Sequence, residues 1–461
     1  MLEAATLVTF AAMLVTGIVY GFPLLVALIA RWLLFFDYGL MRGFDVHELC
    51  RMSTRGLSDV MPVLCLFVLI GALTASWRAA GTIPAIICWS VRVVSPTTLV
   101  PASFLLCCVM SLLTGSSFAS AATTGVICMA IASSMGANPV LTGGAIVSGC
   151  FFGDQCSPMS SSASLVAGIT NTNLLSNVSR MMRTGAVPFV CCLGLYALFG
   201  TLAAPGADAS ASIALSGTEA LRSFVLEPVV FVPVVLVFLL CLLKVDVRWT
   251  MVASLAAAIV IEVLVQGMAL PEVARTLVYG YHAADPEVAR LANGGGVLSM
   301  AELSAIVAVA STYAGLFEGT GLLAGVEQAV TSLARRTTPF VGVLATSVFT
   351  AAIACDQVLA IMLVRQLCDG CEGASSALAL DMESSVTLIP ALIPWSTSCV
   401  GIMAFTGMPM VSVSCAFLPM LVPAWSLAIS LWQYGHPTCV DSPTARVMGL
   451  TDEDDRRRLA A

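Results

Sequence analysis

The sequence predicts an all-α polytopic membrane protein of about 10–12 transmembrane helices, arranged as two inverted repeats with re-entrant or broken helices. Three observations carry this expectation. The chain of 461 residues is 59% hydrophobic and only 10% charged, whereas a soluble globular domain carries roughly 25% charged residues. So few charges cannot cover a water-exposed surface of this size. Apolar runs recur along the whole length, which argues for many spans rather than one anchor, and they lack the alternation of a membrane β-barrel. Polar interruptions also fall in the same order in the two halves of the chain.

The apolar segments lie near 4–30, 60–76, 98–113, 121–135, 139–152, 186–204, 224–243, 249–268, 303–317, 339–353, 357–368, 385–404 and 410–433. The first has no basic start and is longer than a signal-peptide core, so it reads as a retained helix. Several others are shorter than the ~20 residues that span a bilayer. They are broken by Gly, Ser and Pro, and such backbone survives in hydrocarbon only where it lines a cavity or is buried in protein. Residues 31–58 and 269–300 read as the longest polar connections. Arg31, Arg42, Arg51 and Arg55 place the first of these on the cytoplasmic side. Five regions follow: an N-terminal helix with polar connection (1–59), a first repeat with a broken-helix site (60–204), connecting helices and loop (205–300), a second repeat with its own broken-helix site (301–435), and a polar tail (436–461).

Charge and cysteine usage narrow the function. The net charge of −7 is spread out, and no basic cluster suggests a nucleic-acid partner. The 17 cysteines are scattered, mostly in apolar runs, where they act as small polarizable hydrophobes. The Cys368 and Cys371 pair stands far in sequence from His47, His282 and His436, so no resident metal or other cofactor is expected.

The halves echo each other. Trp77 to Pro84 resembles Phe317 to Ala324. Thr114 to Ser117 lies at the same offset as Ala354 to Gln357. Gly153 and Asp154 are followed by Ser157 and Pro158, and Asp381 and Glu383 by Ser384, Ser385 and Pro390. Interrupted segments at corresponding places in two halves point to a transporter binding site; small residues that pack helices closely are the plainer explanation.

The interruptions hold the candidate chemistry. Pro158 cannot donate to the carbonyl of Asp154, and Pro394 frees the carbonyl of Pro390 in the same way. With the Asp154 carboxylate and the hydroxyls of Ser157 and Ser160, these carbonyls are candidate oxygen ligands for a hard cation. Thr114, Ser116 and Ser117 in one half, with Asp356, Gln357, Glu383, Trp395, Ser396 and Thr397 in the other, complete the candidate set. A buried carboxylate is also a proton site, and Na⁺ competing with H⁺ at one carboxylate gives exchange without covalent chemistry. Simpler roles stand beside these: Asp154 as a helix cap or partner of Arg180, Asp356 as an N-cap, Asp381 in a connecting loop, the serines as packing residues. An intramembrane aspartyl protease would need Gly at position 151, which is Phe, so no enzyme is expected.

Leu73 to Pro84, Ser148 to Ser160 with its Gly-Asp-x-x-Ser-Pro-x-Ser pattern, and Leu392 to Trp395 resemble the NhaC-type sodium/proton antiporter family of the ion-transporter superfamily, from about residue 60 to 435. The resemblance implies two inverted repeats with re-entrant hairpins, an elevator-like movement and Na⁺/H⁺ exchange across the cell membrane. Gly153, Asp154, Ser157, Pro158, Ser160, Glu383, Pro394 and Trp395 match the family pattern. Gln155 stands where the family usually has Lys, Ser161 and Ser384 where it has Asp, and Ser396 where Asn often follows the Pro-Trp. The expected activity is secondary active exchange of Na⁺ for H⁺ with Asp154 as the shared site, the lipid bilayer as surroundings and a homodimer by analogy. A Na⁺- or H⁺-coupled carrier of an amino acid or carboxylate is the alternative, favoured by the missing acidic residues.

Overall fold

The computed structural model describes residues 9, 24–93, 95–203, 224–243, 245–283, 285, 288–289, 293–320, 337–354, 356–368 and 375–435. The start of the first apolar run, the loop 205–222, Cys371, residues 321–324 of the second aromatic–glycine element and the tail 436–461 lie outside them. Among the described residues the chain is helical, and its one strand-like feature is a bridge between Tyr281 and Gly294.

Six helical stretches are long and apolar enough to cross a membrane: Val60–Ala79, Pro96–Thr114, Ser117–Ser134, Leu174–Leu202, Val247–Leu264 and Met410–Gln433. Shorter apolar helices accompany them, including Pro339–Ala354, Gln357–Leu367 and Thr397–Thr406. This is an all-α, multi-pass membrane protein. Of the short helices, Thr397–Thr406 is buried along its whole length, as interrupted backbone in hydrocarbon requires.

The stretch 31–58 is not a connection. Helix α1 covers Leu24–Met41, and α2 runs without a break over Val46–Ala79. Asp45 starts α2 by accepting from the His47 N–H, while Glu48 reaches back to the Asp45 N–H, both at 3.3 Å. The polar residues of its first turns face outward, so polarity marked one helical face rather than a loop. Arg31 is 1% exposed, and its guanidinium lies 5.0 Å from the Trp395 ring centroid. An arginine counted toward a cytoplasmic loop is therefore an interior cation stacked on an aromatic face.

Helices α3 (Thr82–Val93) and α4 (Pro96–Thr114) follow, then α5 (Ser117–Ser134), which contains a π-helical turn at Ala121–Gly125. Next come α6 (Pro139–Cys156), α7 (Ser161–Thr170) and α8 (Leu174–Leu202). Helices α9 (Val232–Leu242), α10 (Val247–Leu264), α11 (Leu270–Tyr279) and α12 (Ala301–Thr320) follow. The last group is α13 (Pro339–Ala354), α14 (Gln357–Leu367), α15 (Ser375–Glu383), α16 (Thr397–Thr406) and α17 (Phe417–Gly435). Helix α2 packs along α12 and α10, with α1 against α12; α4 packs along α6, with α8 and α17 beside them.

The α2–α10 seam holds a carboxylate that no motif announced. Glu262 is fully buried and accepts a hydrogen bond from Ser76, while its second oxygen has no partner. At the next residue of α2, Trp77 donates to Ser254 at 3.0 Å, and Ser254 donates to the Pro233 carbonyl at 2.9 Å. The recorded partner of Glu262 is a hydroxyl, so a neutral side chain of the same shape satisfies it equally. Glu262→Gln should leave the melting temperature in detergent near that of the parent. Glu262→Ala opens a cavity and strips Ser76 of its acceptor, and should cost about 2 kcal/mol or more.

Candidate functional site

Four helix interruptions build the site. At the first, α4 ends on Gly115 with φ 66°, and a Cβ there would strike the backbone of Met159. Only glycine suits that left-handed, crowded position. Ser116 then caps α5 by accepting from the Ala119 N–H at 3.3 Å, and Thr114 donates back to the Met110 carbonyl at 2.8 Å.

At the second, α6 ends at Cys156 and Ser157 turns extended, with φ −93° and ψ 133°. Pro158 follows and cannot donate to the Asp154 carbonyl. That carbonyl is not the open ligand its sequence position suggested. Ser160 donates to it at 2.7 Å and Ser162 at 3.1 Å. Ser160 also accepts from the Ala163 N–H at 3.3 Å and so caps α7. Ser157 donates to the Leu112 carbonyl at 2.8 Å, stitching the break to α4. A buried carbonyl left without a donor would be costly, and the serines remove that cost.

The second half uses the same device. Pro394 withholds a donor from the Pro390 carbonyl, Ser396 donates to that carbonyl instead, and Ser396 caps α16 by accepting from the Cys399 N–H at 3.1 Å. In both halves the serine lies two residues after the proline and six after the carbonyl. Both following helices are 10 residues long and end on a left-handed residue, Asn171 (φ 52°) or Gly407 (φ 67°). Ser396→Ala removes both bonds and should lower stability by about 1–3 kcal/mol in thermal unfolding. Ser160→Ala should cost about as much, because each carbonyl keeps one other donor, Ser162 or the Ile393 N–H.

The remaining interruption precedes α14. Asp356 caps it, accepting from the N–H groups of Val358 at 2.9 Å and Leu359 at 3.2 Å. Its other oxygen accepts from Thr397 at 3.1 Å, which ties the two interruptions of this half together. Asp356 is thus both a cap and a bridge. Trp395 donates to the Ala352 carbonyl at 2.8 Å, beside the Arg31 stack.

Three of the four interruptions meet at Asp154. Its side chain, 4% exposed, accepts from the Ser117 N–H at 3.3 Å. The side chains of Ser117 and Gln357 are its electrostatic neighbours. Gln357 in turn donates to the Thr387 carbonyl at 2.8 Å. Gly153 lets α6 lie directly on α4, since a Cβ there would strike Ser111. Glu383 ends α15, is fully buried, and neither of its oxygens makes a hydrogen bond. Asn177, Arg180 and Cys156 are its electrostatic neighbours. Arg180 therefore serves the Glu383 region and donates to the Ser376 carbonyl at 3.4 Å. Asp381 lies within α15 rather than in a loop.

Two further groups at the interruptions stand outside the candidate set read from the sequence. Thr124, in the π-helical turn of α5, has a buried hydroxyl without a partner. The amide nitrogen of Gln155, next to Asp154, is likewise buried and unpartnered. A π-turn has no composition of its own, and Thr124 sits in an Ala/Thr/Gly stretch that reads as ordinary helix packing. No group of three or more His, Cys, Asp or Glu among the described residues is placed to hold a resident metal.

Buried carboxylates at helix interruptions can take up a proton or a cation, because each charged form is costly in hydrocarbon until something neutralises it. Spans interrupted in this way around ionisable groups define a membrane transport protein rather than an enzyme. The family description "Na+/H+ antiporter family" matches residues 149–435, and the chain belongs to that family. A malate-2H(+)/Na(+)-lactate antiporter of Bacillus subtilis is 26% identical over 411 residues, covering 85% of this chain and 86% of that protein. The Na(+)/H(+) antiporter NhaC of Alkalihalophilus pseudofirmus is 26% identical over 353 residues, 74% of this chain and 76% of that protein. An arginine/ornithine antiporter, ArcD, of Halobacterium salinarum is 29% identical over 374 residues, 77% of this chain and 76% of that protein.

Proposed function

We propose that this transporter exchanges Na⁺ for H⁺ across the cell membrane by alternating access, with Asp154 as the shared cation and proton site. The observation that supports this most is the convergence of the α5 start, the α6 end and the α14 start on one buried carboxylate. The Ser117 N–H and the Gln357 amide hold the anion between its two loads. A proton or a cation neutralises it, and neutralisation is the condition for moving through hydrocarbon. Since both cannot occupy the carboxylate together, loading from opposite sides gives exchange. Glu383, buried and without hydrogen bonds, is the second group that takes a proton or cation.

The other residues shape these two. Gly153, Ser157, Pro158 and Ser160 set the break that carries Asp154, and Thr114, Ser116 and Ser117 set its neighbour. Asp356, Gln357, Pro394, Trp395, Ser396 and Thr397 do the same in the second half. Residues 60–204 and 301–435 are the proposed repeats, and the matched proline–serine caps support their kinship.

The relatives named for malate and lactate, and for arginine and ornithine, favour a second reading in which the cargo includes an organic solute. Everted membrane vesicles with an imposed pH gradient separate the two. Na⁺ alone should collapse the gradient. Collapse only when an amino acid or carboxylate is added with Na⁺ would replace cation/proton exchange with coupled solute transport.

A further inference from the structure

A cavity of about 610 Å³ lies away from the four interruptions, between the C-terminal end of α2, α3, the segment 293–303, the end of α5 and the end of α16. Its volume falls within the roughly 300–1,000 Å³ of small-molecule sites, enough for a small organic solute. The opposed chemistry of its walls gives it a polarity. Arg78 and Glu302 both line it, so it carries one fixed cation and one fixed anion. The guanidinium is held in place: it donates to the Asn293 carbonyl at 2.9 Å, while its buried Nε has no partner. The glycine run that follows Asn293 is seated on α2 through the Gly296 N–H, which donates to the Gly71 carbonyl at 2.7 Å. Ser134 and Thr406, at the C-terminal ends of α5 and α16, also line it. Helix C-termini favour positive charge. Ile83, Ile87, Met129, Leu303 and Met403 form an apolar part of the wall, beside the hydroxyls of Thr74, Ser133 and Ser299.

We infer that this cavity binds an α-amino acid with an aliphatic side chain. Its carboxylate pairs with Arg78, whose forked donors suit a planar anion. Its ammonium faces Glu302 and the carbonyl ends of α5 and α16. Its side chain lies on the isoleucine and methionine wall. A bare inorganic cation gains nothing from Arg78, and a simple carboxylate would lie against Glu302 and two helix C-termini. Only a zwitterion answers both charges. The site is separate from Asp154, so it goes beyond cation/proton exchange and adds a solute that binds without needing the interruptions.

The test is calorimetry on the full chain in lipid nanodiscs at constant Na⁺, with three probes: L-leucine, 4-methylpentanoate, which lacks the ammonium, and 3-methylbutylamine, which lacks the carboxylate. Leucine should bind, and each truncated probe should bind roughly ten- to a hundredfold more weakly, the scale of one charge-assisted contact. Arg78→Gln should weaken leucine by a similar factor, and Glu302→Gln should weaken leucine while sparing 4-methylpentanoate. The second variant, at an exposed helix start, keeps the test open if the first fails to fold. Equal binding of leucine and 4-methylpentanoate, no leucine binding to the parent, or unchanged leucine binding in Glu302→Gln would overturn the inference. Asp154→Asn separates the two proposals: it should keep leucine binding while losing the response to Na⁺. Loss of leucine binding in that variant would place the solute at the interruptions instead.

Discussion

Asp154→Asn should abolish Na⁺-driven collapse of a pH gradient in everted vesicles while leaving the protein folded and inserted. Asparagine keeps the shape and can still accept from the Ser117 N–H, which holds Asp154 at 3.3 Å. What it loses is the charge that a cation must find and the site that a proton must occupy. Removing one partner of a buried charge pair costs about 3–5 kcal/mol, so apparent cation affinity should fall by a hundredfold or more on the scale of ~1.4 kcal/mol per tenfold. Proton-coupled turnover should fall to background. Retained exchange at ordinary Na⁺ concentrations, in a variant with unchanged membrane yield and melting temperature, would remove Asp154 from the mechanism and leave Glu383 as the carboxylate to examine.

Gly153→Val should damage both stability and transport. At residue 153, α6 presses on α4 so closely that even a Cβ would strike Ser111. One turn earlier, a Cβ on Gly149 would lie 2.5 Å from Cys107 Cβ and 2.6 Å from the Phe104 carbonyl oxygen. Two glycines four residues apart thus form a flat seam, the close approach that small residues permit in membranes. A valine there must push α4 away or unwind the end of α6, at a cost of about 3 kcal/mol or more. Either response moves the neighbouring Asp154 relative to Ser117. The expected result is a lower melting temperature in detergent and a raised apparent constant for Na⁺ in whatever protein survives. Gly168→Ala is the control, since a Cβ there meets nothing within 4 Å. It should be neutral or slightly stabilising, because alanine is the better helix former. Equal behaviour of the two variants would show that the seam does not constrain the site.

Much of the molecule was legible one residue at a time. Proline four residues after a carbonyl is a local pattern, and it marked both interruptions, at Asp154 and Pro390. The capping role of Asp356 followed from its place before an apolar run. Local reading failed where a residue's meaning depends on which side of a helix it occupies. Arg31 looked like a loop arginine because it was counted with the later arginines of the stretch 31–58, yet it stacks on Trp395. Ser160 looked like a free oxygen ligand, yet it is committed to the Asp154 carbonyl and to a helix cap. Glu262 drew no notice because a single acid in an apolar run has no motif, and its partner Ser76 lies 186 residues away.

The sequence by itself determined the environment and the class: too few charges for water, many apolar runs, and prolines and glycines that forbid continuous helices at fixed places. Those are properties of composition and of short-range backbone sterics, and no folding is needed to state them. Only the tertiary structure decided which polar groups satisfy one another and which are left over. The hydrogen bond between Ser117 and Asp154 and the proximity of Gln357 to Asp154 join segments far apart in the chain, and packing leaves the buried Glu383 without a hydrogen-bond partner. In hydrocarbon every polar group must be answered by protein, so the few left unanswered become visible once the packing is known.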